Sequence, residues 1–479
     1  MIEFTEDDDI VKVLLVIVSS DILSSSNIET KTFSSEMEKP KINVNTDKKE
    51  KIYRSSNDKL NKDSLDLLIK EIFLKYKPIF LLVAFSILIR SIIFYVVVPY
   101  AGILPPVYPD LEPYQDFKNL YLPDVDRFLE GEIPYKDFWH AYPPLFLYSL
   151  TLLSLFTLPA PYQAYFLIPA LFTTLLDSLI VIPVYLIAKK LNKSDKQAFI
   201  ISLIFTFSPL ILSYDSALWL NPPWSTLLMM LSLYFYLDDK PLLSASLLGI
   251  AASFKQTAGI ILPVLLIVSW RNKDSRSSLL YLLFFFIPFF ISSLPWVLLD
   301  PYLYIWALGF PGLPTPDPYL PPVLEWSYTL TDPANITMYL GIHGFVDLSL
   351  KIKQFLPILF AIICSISLFS MSKIKSFSNR DIIYYSLHFS LVFYTFLPRG
   401  LYKYYFVGIL PLLALLIIGR KTTILYEILN IVVLWMPRFL TPWITLFLIP
   451  ATSFIRKDYS EDLVDVPDDV PDDDYLLSE

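Results

Sequence analysis

Between residues 101 and 141 the sequence sets eight acids against three bases, interleaved with Pro, Tyr and Trp. Asp110, Glu112, Asp116, Asp124, Asp126, Glu130 and Glu132 stand there, followed by the string GEIPYKDFWHAYPPLFLY, which carries His140 and Tyr142. Carboxylates in such a segment can serve as a general base toward an acceptor hydroxyl, or can ligate a divalent cation that neutralises a phosphate. Asp124-Val-Asp126 has the spacing of a two-carboxylate metal-phosphate pair, although so short a pattern also arises by chance. The same composition also suits a plain solvated acidic loop. Asp110, Asp124, Asp126, His140 and Tyr142 are read as acceptor- or metal-binding candidates, with a divalent cation compatible but not required.

A second set of candidates is cationic. Lys255 is flanked by apolar runs, where a lysine is costly unless its stem snorkels or its ammonium pairs with an anion such as a lipid-linked phosphate. Pro398-Arg399-Gly400-Leu401-Tyr402-Lys403-Tyr404-Tyr405 combines two cations with three tyrosines. Arg holds phosphate through parallel hydrogen bonds, while tyrosines also suit simple anchoring at a bilayer interface. Lys255, Arg399 and Lys403 are thus phosphate-binding candidates. Asp177 lies inside an apolar run, where an acid faces a bundle interior as a structural or a pocket-lining group. His140, His343 and His388 are too scattered to form a ligand set, and Cys364 stands alone, which excludes an intrachain disulfide. Asn335-Ile-Thr337 is a glycosylation sequon.

The elements that position these residues are membrane helices. Of 479 residues 54% are hydrophobic and 16% aromatic, with a mean hydropathy of +0.52, so lipid is the main solvent. Long runs of Leu, Ile and Phe without period-2 alternation point to helices rather than a barrel. Basic clusters at 189–196, 239–240, 271–276, 373–380, 420–421 and 456–457 mark cytoplasmic turns. They predict about twelve crossings, near 78–100, 161–188, 197–213, 223–237, 241–254, 257–270, 278–299, 352–372, 381–397, 403–419, 422–435 and 441–455. Residues 143–158 read as a helix half-embedded in the outer leaflet, because a full crossing there would reverse the parity. Lys351 and Lys353, left near the outer face, conflict with this scheme.

The resulting organisation is a polar cytoplasmic N-terminal region (1–77) and a seven-helix module (78–299) with its outer loop at 101–142. A second outer loop (300–351), C-terminal helices (352–457) and an acidic cytoplasmic tail (458–479) follow, the tail carrying ten acids and no base. Both termini fall on the cytoplasmic side of a multi-pass cell-membrane protein.

Four segments carry a family resemblance. Asp116, Tyr121, Gly131, Tyr135 and Tyr142 to Leu145 resemble the first outer loop of the GT-C superfamily of integral membrane glycosyltransferases. SALWLNPPWSTLLMML, LGIAASFKQTAGIILPVLL and PRGLYKYYFVGILPLLALL resemble that family's Trp-Gly-Gln-x-Asp, Gly-Leu-x-x-x-x-x-Lys-x and late Arg/His-x-x-Tyr stretches. The likeness spans residues 75–420 and is nearest the protein-mannosyltransferase, aminoarabinose-transferase and polyprenyl-phosphate-mannose-dependent branches. Asn221 and Pro223 depart from the usual Gln and Asp, and His140 and Tyr142 stand where some relatives place a Lys.

The resemblance implies a polyprenyl-phosphate-sugar donor, a glycan, lipid or protein acceptor on the extracytoplasmic face, and Asp116 as the base of an inverting hexosyl transfer. A secondary transporter or lipid flippase is the alternative from another class, although no internal repeat is evident. A non-catalytic scaffold subunit is a third. Nothing suggests a nucleic-acid partner.

Overall fold

Prolines and capping side chains cut the apolar runs into helices, and basic residues gather at the turns between them. The computed structural model describes residues 76–97, 116, 120–156, 167–308, 346–397, 403–417, 419–436 and 443–451. Asp110, Arg399, His343, the sequon, most of the N-terminal region and the acidic tail lie outside the described residues.

In chain order the helices are α1 (Lys77–Val97), α2 (Leu122–Leu129), α3 (Pro144–Leu155), α4 (Leu167–Leu179), α5 (Val181–Lys190) and α6 (Asp195–Thr206). There follow α7 (Pro209–Ile211), which runs into a π-helical turn at Leu212–Ala217, then α8 (Pro222–Leu237) and α9 (Pro241–Phe254). A 3₁₀-helix at Gln256–Ile261 leads into α10 (Leu262–Asn272), α11 (Ser275–Leu299) and α12 (Pro301–Ala307). The C-terminal part holds α13 (Val346–Ser372), α14 (Asn379–Phe396), a 3₁₀-helix at Lys403–Ile409, α15 (Leu410–Ala414) and α16 (Arg420–Trp435). Among the described residues the only extended pairing is an isolated bridge between Pro134 and Phe138.

The helical membrane class therefore holds, whereas the number of crossings does not follow simply from it. Among the described residues three helices are long and apolar enough to span a bilayer: Lys77–Val96, Leu167–Lys190 and Ser275–Leu299. A fourth candidate is the pair Asp195–Thr206 and Pro209–Ala217, bent by 41°. The single crossing expected at 197–213 is broken there because Pro209 cannot donate to the helix ladder. The run expected at 403–419 is a 3₁₀-helix followed by a five-residue α-helix. The loop expected at 300–351 is helical at both ends. Asp300 caps α12 by accepting from Leu303 N at 2.9 Å, and α13 already starts at Val346. The half-embedded reading of 143–158 falls on α3, whose twelve residues rise only about 18 Å against the roughly 30 Å of a hydrocarbon core.

Contacts between turns define one end of the bundle. Lys189 pairs with Asp195 at 2.8 Å, Lys190 with Asp238 at 2.5 Å, and Lys273 with Asp239 at 3.4 Å. Asn272 is bonded to the Phe377 backbone, and Asn379 donates to Lys190 O. The basic turns at 189–196, 239–240, 271–276 and 373–380 thus meet one another. With α9 leaving this end and α10 returning to it, the chain between them reverses at the opposite end, at Lys255.

Within the bundle, Arg90 of α1 grips Asp177 of α4. Its Nε lies 2.5 Å from Oδ2 and its Nη2 3.1 Å from Oδ1, with Ser86 and Ser216 completing the shell. Both charged side chains are fully buried, which makes Asp177 the structural partner of Arg90. Removing one partner leaves an uncompensated buried charge, so Arg90→Met or Asp177→Leu should each cost about 3–5 kcal/mol. The double substitution to apolar residues should recover most of this, as measured by thermal unfolding in detergent.

Candidate functional site

The site is built where helices stop. Pro222 and Pro223 open α8, so the backbone ahead of them must turn, and Trp219 does so at φ +51° while fully buried against Phe94. Tyr135 is likewise buried at φ +69°, its hydroxyl donating to Tyr142 O at 2.7 Å. Positive φ is strained for bulky side chains and persists only where the surroundings over-determine it. The two turns precede Asn221 and Tyr142 in the chain.

Lys255 occupies the break between α9 and the 3₁₀-helix, with extended backbone at φ −152° and ψ 116°. That conformation aims its side chain into the protein; it is 3% exposed, which excludes snorkelling. Its Nζ donates to Asn221 Oδ1 at 2.7 Å and lies 4.2 Å and 4.8 Å from the ring centroids of Tyr405 and Tyr404. The tyrosines are stacked 4.7 Å apart. The ammonium is therefore held by an amide and two π faces, all neutral.

Asp116 faces this ammonium from the first outer loop. It is half-buried, and the Tyr121 hydroxyl donates to its Oδ2 at 3.4 Å. Burial pushes its carboxyl up to about 6, with Lys255 and Tyr121 pulling the other way. Burial also pushes Lys255 down to about 7, opposed by Asp215 and Asp116. The phenols of Tyr121 and Tyr142 rise well above their ordinary value through burial, so both remain hydrogen-bond donors. A cavity of ≈ 20 Å³ adjoins Lys255, lined also by Ser225, Thr226, Thr257, Ser390 and Tyr394. It has room for about one water molecule.

The other acidic-loop candidates form a buttress. Asp124 accepts from His140 Nδ1 at 2.7 Å, both side chains being buried. Burial raises the Asp124 carboxyl, against the pull of His140 and Arg127. Asp124 and Asp126 lie two apart on α2, where side chains do not face each other, so the two-carboxylate spacing does not make a common ligand pair. Among the described residues no three His, Cys, Asp or Glu side chains converge to hold a metal.

The segment 140–142 is pinned at each residue: His140 by Asp124, Ala141 O by Gln256 Nε2 at 3.2 Å, and Tyr142 O by Tyr135. Gln256 Nε2 also reaches Leu308 O at 2.9 Å, joining the start of the second outer segment to the same corner. Of Lys403 only the backbone, at the start of its 3₁₀-helix, is described.

Sequence reasoning brought Asp116, Tyr142 and Lys255 forward, and the fold places them together. It missed the partner role of Asn221, and it left Tyr404 and Tyr405 open between an anion site and interfacial anchoring, without seeing them as the cage of a lysine. It also passed over Arg90 and Asp215. The Asp215 carboxyl is buried in the π-helical turn with both oxygens lacking a hydrogen-bond partner. An acid opening the loop string SYDSALWLNPP between two apolar runs was the available signal.

The fold and site define a helical membrane protein with a desolvated, tyrosine-lined cationic pocket where its helices break. The family model of PIG-U, described as a GPI transamidase subunit, matches residues 112–305, under half of the chain but including Asp116, Asn221 and Lys255. That is a multi-pass membrane family related to GT-C-like enzymes, which accounts for the resemblance in coarse form. No curated protein matches the chain. The expectation of a glycosyltransferase is corrected by this match, since the family named is a subunit of a transamidase and not a hexosyltransferase. Loop and helix patterns are shared across a scaffold more widely than its chemistry is.

The two shifted groups act oppositely on stability. Asp116, raised from 3.8 to about 6, contributes stability that is full below 3.8 and lost as pH rises through about 6. Lys255, lowered from 10.5 to about 7, contributes stability that is full above 10.5 and lost as pH falls through about 7. Their joint contribution should be smallest between about pH 6 and 7. In thermal melts across pH, Asp116→Asn should remove the acid-side slope and Lys255→Met the alkaline-side slope; unchanged profiles would exclude burial as the cause.

Proposed function

We propose that this chain is a non-catalytic membrane subunit of a GPI-transamidase-type assembly, and that its pocket, widening from the one-water cavity beside Lys255, receives the phosphate-bearing head group of an anionic lipid. One observation carries the reading: among the described residues the buried ammonium of Lys255 touches only neutral groups, with Asp116 and Asp215 acting on it without contact. A buried cation with no contacting counter-ion is an incomplete pair, and a phosphate oxygen completes it with a charge-assisted hydrogen bond. The neighbouring phenols of Tyr121 and Tyr142 add donors for phosphate or for head-group hydroxyls.

Membrane lipid and protein partners follow from the family match as parts of this reading. The orientation that best fits the basic turns places them in the cytoplasm, with about twelve crossings counting the broken and short helices, both termini inside, and the pocket on the opposite face. Arg399 and Lys403 remain candidates for the same phosphate because they precede Tyr404 in the chain. A divalent cation is not part of this reading.

The test is lipid retention by the purified full chain in phosphatidylcholine nanodiscs doped with phosphatidylinositol, read by native mass spectrometry. Lys255→Met should weaken phosphatidylinositol retention by about tenfold, the scale of one lost hydrogen bond to a charged group. Equal retention by the parent chain and the variant would overturn the proposal.

A further inference from the structure

Two carboxyl groups face Lys255 from different elements: Asp116 from the first outer loop and Asp215 from the π-helical turn. Neither forms an ion pair with it among the described residues, where the other groups around Asp116, namely Tyr121, Tyr142 and Tyr404, are phenols. One positive charge is thus already set against two carboxyl groups before any ligand arrives, of which Asp215 is driven toward its neutral form by burial and by Asp177, leaving Asp116 as the charged one near neutral pH. Asp215 has no hydrogen-bond donor on either oxygen to disperse added negative charge. An entering phosphate must share Lys255 with Asp116, and each further unit of ligand charge meets that carboxylate in a site from which water is largely excluded.

We infer that Asp116 sets the charge the pocket accepts, admitting phosphodiester head groups, which carry one negative charge, and rejecting phosphomonoester head groups, which approach two. The inference rests on the head-group reading above and assigns Asp116 a selective role in place of a catalytic one. A phosphodiester keeps a single charge at every pH near neutrality, whereas a monoester loses its second proton near pH 6. The discrimination is therefore strongest near neutral pH, because above it Lys255, lowered to about 7, loses the charge that binds either head group. It fades on acidification, as the monoester gains a proton and Asp116, with its carboxyl at about 6, does the same.

The experiment compares phosphatidylglycerol with phosphatidic acid, which present a diester and a monoester on the same glycerolipid, each doped into phosphatidylcholine nanodiscs carrying the full chain. Near neutral pH the parent chain should retain phosphatidylglycerol about tenfold over phosphatidic acid, the scale of one added like charge in a low-dielectric site. Asp116→Asn should bring the ratio close to one by raising phosphatidic acid retention. Asp116→Glu should keep the discrimination, which separates a charge effect from misfolding.

A parent chain that retains both lipids equally would overturn the inference, as would an Asp116→Asn variant with an unchanged ratio. Lys255→Met is the separate control. If it lowers retention of phosphatidylglycerol while the ratio fails, the head-group site stands and the selectivity falls. If it changes neither lipid, the site itself falls.

Discussion

A lysine ammonium removed from water and left without a contacting carboxylate is the constraint around which the outer end of this bundle is organised. Such a charge is costly in an apolar surrounding, and the fold offsets that cost with an amide oxygen and the faces of two stacked tyrosines. Each partner comes from a different part of the chain, Asn221 ahead of α8 and Tyr404 and Tyr405 from the late 3₁₀-helix, so placing them requires the whole bundle to be in register. Asp116 adds an attractive field without closing the pair.

Helix breaks make this convergence feasible. A continuous helix through Lys255 would point its side chain along one face of a rod; the extended residue between α9 and the 3₁₀-helix turns it inward instead. Strained turns at Trp219 and Tyr135 do the same for the segments that hold Asn221 and Tyr142. These turns are locked by aromatic packing, Trp219 against Phe94 and Tyr135 against Tyr304 at 4.9 Å. Deeper in the bundle the Arg90–Asp177 pair fixes α1 against α4.

Much of the helical frame was legible because its signals are local. Prolines and basic turns gave α8 and α9 nearly to the residue, and the lone acid at Asp177 marked a bundle interior. Three kinds of feature were not legible. The partner of Asp177 lies 87 positions away, and no local pattern announces a pairing at that distance. The break at Pro209 was signalled by the proline but hidden by a hydropathy run that continues through it, and the 3₁₀ geometry of Lys403–Ile409 is not encoded in hydropathy at all. The role of Tyr404 and Tyr405 depends on their being buried, whereas their sequence context equally suits an interface. The functional error had a different origin. Loosely matched motifs suggested a family, and the chemistry of that family was carried along with them.

The central claim is that Lys255 is desolvated, held by neutral groups and completed by a phosphate. The most direct measurement is the ¹⁵N signal of its Nζ, assigned by loss in Lys255→Arg and followed through a pH titration in nanodiscs with and without phosphatidylglycerol. The account expects a midpoint near 7 in phosphatidylcholine alone, and a clear rise when the anionic lipid is present. A midpoint near the ordinary lysine value of about 10.4, indifferent to the lipid, would contradict it.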